Sequence, residues 1–96
     1  MKLEWSAFAL DDRNKIFGYI EQDHPRAAVL VDNRVSAQVI RLMQFPESGR
    51  PGRVEGTREL VIDQTPYIAA YRIIDDTVRI LRVLHGAQQW PGEMPD

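Results

Sequence analysis

From its second residue the chain alternates polar and apolar positions, Lys2-Leu3-Glu4-Trp5, the period-two pattern of a short strand with one face covered. Ser6 follows as a candidate N-cap, and the period then lengthens. Ala9, Ile16, Phe17 and Ile20 share one stripe at helical spacing, with Asp11, Asp12 and Lys15 towards the other side, which predicts a helix over about residues 7–22. Asp23-His24-Pro25 interrupts it and starts a second helix, because the fixed φ and missing N–H of proline are tolerated in a first turn, with Asp23 or His24 as cap. Ala28, Val31, Val35, Val39 and Leu42 then recur at steps of three and four, predicting a helix that ends near Phe45-Pro46.

After the Gly/Pro/Arg loop of residues 46–57 the period returns to two, over Arg58 to Ile62, Tyr67 to Ile74 and Val78 to Leu84. Gln64-Thr65-Pro66 and Asp75-Asp76 supply the turns. In the second of these strands Tyr67, Ala69, Tyr71 and Ile73 share one face, while Ile68, Ala70, Arg72 and Ile74 share the other. Both faces are mainly apolar, as a central strand requires. Tight connections make the last three strands an antiparallel meander, which the first strand joins at its edge. The expected fold is α+β: an antiparallel hairpin of two N-terminal helices packed on one face of a four-stranded, largely antiparallel sheet, in the order β-α-α-β-β-β. Val31, Val35, Val39 and Leu42 should be buried against that sheet. The tail, with Pro91, Gly92 and Pro95, is expected to fray over residues 91–96.

Ninety-six residues make a single domain, 1–96, and its 44% hydrophobic and 27% charged residues are ordinary globular usage, which excludes disorder by composition. With no cysteine, disulfides, thiolate zinc sites and thiol catalysis are excluded, and no metal or cofactor is expected. No segment approaches the ~18 apolar residues of a membrane span, and the first residues lack an export signal, so a soluble, cytoplasmic chain without membrane contact is expected. Twelve Lys+Arg against 14 Asp+Glu give a net charge of −2, which provides no overall attraction for polyanions. Any nucleic-acid contact must therefore be local. Arg50, Arg53 and Arg58 gather in the segment 49–58 with only Glu55 to offset them, either as such a contact or as charges on a solvated loop.

The stretch Gly56-Thr57-Arg58-Glu59-Leu60-Val61-Ile62, then Pro66-Tyr67-Ile68-Ala69-Ala70-Tyr71-Arg72, then Ile80-Leu81-Arg82-Val83-Leu84-His85-Gly86 resembles the RelE/ParE superfamily of bacterial type II toxins in residue type and spacing. The front half is similar too, in Lys-Leu-Glu-Trp-Ser, Tyr19-Ile20, Asp23-His24-Pro25 and Phe45-Pro46-Glu47-Ser48-Gly49-Arg50. The resemblance implies a toxin that arrests growth and stabilises plasmids, held inactive by a cognate antitoxin in a hetero-oligomer. It leaves two targets: ParE-like members poison DNA gyrase, whereas RelE-like members are endoribonucleases (mRNA interferases) that cut messenger RNA on the ribosome. A degenerate member that keeps only antitoxin binding is a third reading.

The nucleases of the superfamily carry basic residues on the strand matching Glu59 to Ile62 and an arginine after the tyrosine matching Tyr67. This chain has Glu59, Val61 and Ile68 there. That departure favours the gyrase-directed reading, under which no enzyme activity is expected. On the nuclease reading His85, Arg58 and Arg82 are the catalytic candidates, since metal-free cleavage needs converging proton-transfer and charge-stabilising groups. His85 is otherwise a packing residue. Arg50, Arg53, Arg72 and Arg79 are candidate partner- or RNA-binding residues, and Arg58, Arg72, Arg79 and Arg82 either form a basic strip or are ion-pair partners of Glu59, Asp75 or Asp76. Simple alternation places Arg72 with Arg82 on one face and Arg79 with His85 on the other. Tyr67 and Tyr71 either stack on bases or fill the core. Trp90 either packs on the sheet or anchors a partner.

Overall fold

The computed structural model describes residues 1–95. Its elements are β1 (Lys2–Trp5), α1 (Ala7–Glu21), α2 (Pro25–Ile40), a 3-10 turn (Arg41–Met43), β2 (Arg50–Pro51), β3 (Arg58–Val61), β4 (Tyr67–Ile74) and β5 (Thr77–His85). The sheet runs β1-β5-β4-β3-β2, with β1 parallel to β5 and every other pair antiparallel. The expected four strands are thus five. Arg50 and Pro51 pair with Glu59 and Arg58, a two-residue strand too short to leave a period in the sequence. The second helix also stops at Ile40, and its last apolar position, Leu42, is delivered by the 3-10 turn.

Ser6 starts α1 as its spacing predicts. Its hydroxyl oxygen accepts the Ala9 N–H at 3.0 Å, and its own proton goes to the Leu81 carbonyl at 2.8 Å. One side chain therefore satisfies an otherwise orphaned helix donor and fixes the helix to β5. α2 begins with Pro25 in its first turn, and its N-cap His24 makes no side-chain capping bond. Arg13 and Asp32 lock the helices together through a bidentate pair at 3.0 and 2.9 Å.

The main core lies between the helix pair and the sheet and includes Ala9, Val35, Val39, Leu42, Ile62, Tyr71, Val78 and Ile80. Each fully buried Val, Leu or Ile side chain there stabilises by about 1.5–3 kcal/mol. Val31 packs against this cluster at its margin. On the outer face of the sheet, away from the helices, Ala70, Leu81 and Leu84 form a second, smaller core with Met94, Val54 and Trp90. In the tail, Met94 is buried against this apolar face. Asp96 lies outside the described residues.

β5 carries one extra residue. Tyr71 pairs with Ile80 but Ala70 pairs with Arg82, so Leu81 is a bulge. The bulge shifts the phase of everything after it, which places Leu81 and Leu84 together on the outer face.

Candidate functional site

The bulge first changes where the arginines go. Arg72 and Arg79 are cross-strand partners on the outer face and His85 stands opposite Tyr67 on the helix side, so the expected grouping of Arg79 with His85 is overturned, whereas Arg82, opposite Ala70, keeps the face of Arg72. Arg79 pairs with Glu4 of β1 at 3.6 Å rather than with Asp75 or Asp76.

Arg82 turns to α1. β1 ends at Trp5, opposite Ile80, and from there the edge of β5 lacks a strand neighbour. Asp12 fills that gap: its carboxylate accepts Arg82 Nε and Nη2 at 2.7 and 2.9 Å and the Val83 N–H at 2.9 Å. The hydrogen bonds it donates to Asp12 hold the Arg82 guanidinium above its usual range, so its charge is permanent. Asp12 was expected towards solvent and is buried instead. Its signal was present, since it lies three residues after Ala9 and four before Ile16, on the same stripe.

Beyond Arg82, Gln88 Oε1 accepts the His85 N–H at 3.0 Å and takes over the edge. The His85 ring meets Tyr67 edge-on, with centroids 5.7 Å apart. Its Nδ1 accepts the Ala87 N–H at 3.0 Å, which puts the proton of the neutral ring on Nε2. Burial raises the Tyr67 phenol above its ordinary pKa, with nearby Tyr19 adding to the effect.

Arg50, Arg53 and Glu59 form a separate cluster on the outer face. The Glu59 side chain is only 1% exposed, and it accepts Arg50 Nη2 at 3.0 Å and the Arg53 N–H at 2.8 Å, with Arg53 Nε at 3.6 Å. A buried carboxylate persists only when so satisfied. Arg53 also stacks over Trp90, 4.0 Å from the ring centroid, and the Trp90 indole donates to the His85 carbonyl at 3.1 Å. The arginine-rich loop is thus an anchored roof over the outer face.

Arg58 is engaged elsewhere, donating to the carbonyls of Gly49 at 2.9 Å and Glu47 at 3.3 Å. Tyr71 is fully buried; its hydroxyl accepts the Gly49 N–H and donates to the Pro46 carbonyl, at 2.9 and 2.7 Å. A Cβ at Gly49 would come within 2.5 Å of that hydroxyl, so the loop needs glycine there. Tyr67 and Tyr71 are both core residues facing the helices.

Of the catalytic candidates, Arg82 and His85 line one hollow with Tyr67, and Arg58 lies apart from them. Arg58 pairs with Tyr71 and His85 with Tyr67 on the same strand β4, four residues apart, or about 13 Å along the sheet at ~3.3 Å per residue. Glu59, Val61 and Ile68 pair with Ala70, Ile68 and Leu84, all on the outer face, away from His85.

The family described as "ParE toxin of type II toxin-antitoxin system, parDE" matches residues 3–90. The chain is 48% identical over 90 residues to Y4kP of Sinorhizobium fredii, named as a candidate toxin, the match covering 94% of this chain and 93% of that one. It is 36% identical over 84 residues to "Toxin RelE2" of Caulobacter vibrioides, covering 88% and 93%. Among solved structures it is similar to "Chromosomal ParDE TA system from P. aeruginosa", with TM-score 0.81 and 27% identity over 88% of this chain and 95% of that one. It is also similar to the RelBE2 toxin–antitoxin complex of Mycobacterium tuberculosis, with TM-score 0.60, 29% identity and the same coverage. Sequence and fold agree along nearly the whole length, and the chain belongs to the ParE toxin family of type II toxin–antitoxin systems.

Proposed function

We propose that this toxin acts through protein contacts as a ParE-like inhibitor of DNA gyrase, in the cytoplasm, and is neutralised by its cognate antitoxin. One observation carries the choice: the arginines that metal-free RNA cleavage would use are each bonded to protein oxygens, and Arg58 lies apart from Arg82 and His85. Arg82 is held by Asp12, Arg50 and Arg53 by Glu59, and Arg58 by loop carbonyls about 13 Å along the sheet from His85. Developing charge on a cleaved phosphate needs preorganised donors aimed at one point, and these arginines are aimed at protein oxygens. The net charge of −2 likewise provides no long-range steering to a ribosome.

The likeness to Toxin RelE2 and to the RelBE2 complex favours a second reading, ribosome-dependent cleavage of messenger RNA. Purified toxin assayed side by side for loss of gyrase supercoiling and for cleavage on programmed ribosomes separates the two. The expected result is inhibited supercoiling with intact message. Message cleavage with unimpaired gyrase rejects the proposal.

A further inference from the structure

Where α1 meets the end of β5, a hollow of 230 Å³ opens between Asp12, Lys15, Tyr67, Arg82, His85 and Gln88. Its hydrogen-bonding capacity is one-sided. The acceptors are already in use: both Asp12 oxygens by Arg82 and the Val83 N–H, Gln88 Oε1 by the His85 N–H, and His85 Nδ1 by the Ala87 N–H. What remains is mainly donors, the Tyr67 hydroxyl being able to accept as well. The Tyr67 hydroxyl belongs to a residue only 8% exposed and has no hydrogen-bond partner among the described residues. His85 Nε2, Gln88 Nε2 and Arg82 Nη1 also keep free N–H groups.

We propose that this hollow receives a carboxylate side chain, an aspartate or glutamate presented by a protein partner. Several donors lining one hollow, beside acceptors that each already take a bond, favour a group that accepts at both of its oxygens, and an ionised carboxylate gains charge-assisted bonds from them. The hollow is smaller than the roughly 300–1,000 Å³ pockets that take drug-sized ligands, which suits a single side chain. Its charges favour carboxylate over nucleic-acid phosphate. Lys15 is paired with Asp11 at 2.9 Å and Arg82 with Asp12 at 2.7 Å, so the site lacks the uncompensated cations that a polyanionic backbone requires. Ile16, Val83 and Leu84 at the rim suit the methylene stem of a glutamate. The inference rests on the reading that the toxin works through protein contacts, but the binding itself is measurable without the toxin's target.

The test is an NMR titration of the whole chain with N-acetylglutamate α-amide, whose only charge is the side-chain carboxylate. N-acetylglutamine amide and inorganic phosphate are titrated in parallel at constant ionic strength. The expected result is saturable shifts at the Val83, Ala87 and Gln88 amides and the His85 ring with the glutamate compound alone. Tyr67→Phe removes a hydroxyl that bonds to nothing in the fold and should weaken the titration about fivefold, the worth of one ordinary hydrogen bond, whereas Lys15→Gln, at an exposed position already paired with Asp11, should change it little. No saturation, equal response to the neutral amide, tighter response to phosphate, or unchanged affinity in the Tyr67 variant overturns the proposal. A failed gyrase assay with a positive titration would instead reject the target and leave the site standing.

Discussion

Asp12 shows how much one side chain can do when a strand loses its neighbour. It neutralises Arg82 and occupies the Val83 N–H at the point where β1 has ended. Asp12→Ala should cost about 2–4 kcal/mol in urea unfolding, because it strands a partly buried guanidinium and a buried amide together. Arg82→Ala in the Asp12→Ala background should cost less than Arg82→Ala alone, and equal costs would show that the pair is uncoupled. The tyrosines give a second expectation. Burial raises the pKa of both Tyr67 and Tyr71 in the folded protein, so the folded state holds these protons more tightly than the unfolded state. Stability should be level up to about pH 10, the unfolded value, and should fall as pH rises above it. Denaturant midpoints at pH 8 and pH 11 check the sign, and Tyr71→Phe should flatten part of the fall.

The elements were legible to the extent that they carry a period. α1, α2, β1, β3, β4 and β5 all show in apolar spacing, and Ser6 marks a helix start because few residue types cap well. What escaped the sequence has no period to show. β2 is two residues long, and the Leu81 bulge inserts one position into an otherwise regular strand, which reverses the facing of Arg79 relative to Arg82 and His85. Glu59 could be seen to differ from the superfamily's nucleases, but its two arginine partners depend on how the loop folds back. The burial of Met94 escaped for a related reason. Trp90 and Met94 find apolar surface that only the assembled sheet provides. Trp90→Ala should therefore cost about 1–3 kcal/mol and speed amide exchange over residues 81–85, since it removes packing and the stacked Arg53 together. Unchanged exchange there would mean that the tail is not holding the outer face.

For the molecule as a whole, family membership makes growth arrest on expression and its relief by the neighbouring antitoxin the expected behaviour. The two targets then diverge at His85. Its Nδ1 is committed to the Ala87 amide and its ring to Tyr67, on the side of the sheet away from Glu59. On the gyrase reading, His85→Ala should leave growth arrest nearly intact while the variant still binds antitoxin. A variant that folds and binds antitoxin, yet loses both toxicity and message cleavage by the roughly 10²–10⁴-fold typical of a missing general acid or base, would reverse that assignment. The two tryptophans add a practical consequence. Trp5 lies under Arg13 on the helix side, 4.7 Å from the guanidinium, and Trp90 under Arg53 on the opposite side at 4.0 Å. With only these two indoles in the chain, Trp5→Phe leaves an emitter that reports the outer layer, and Trp90→Phe one that reports the inner. Stopped-flow fluorescence on the pair would show whether the two layers detach together or in sequence.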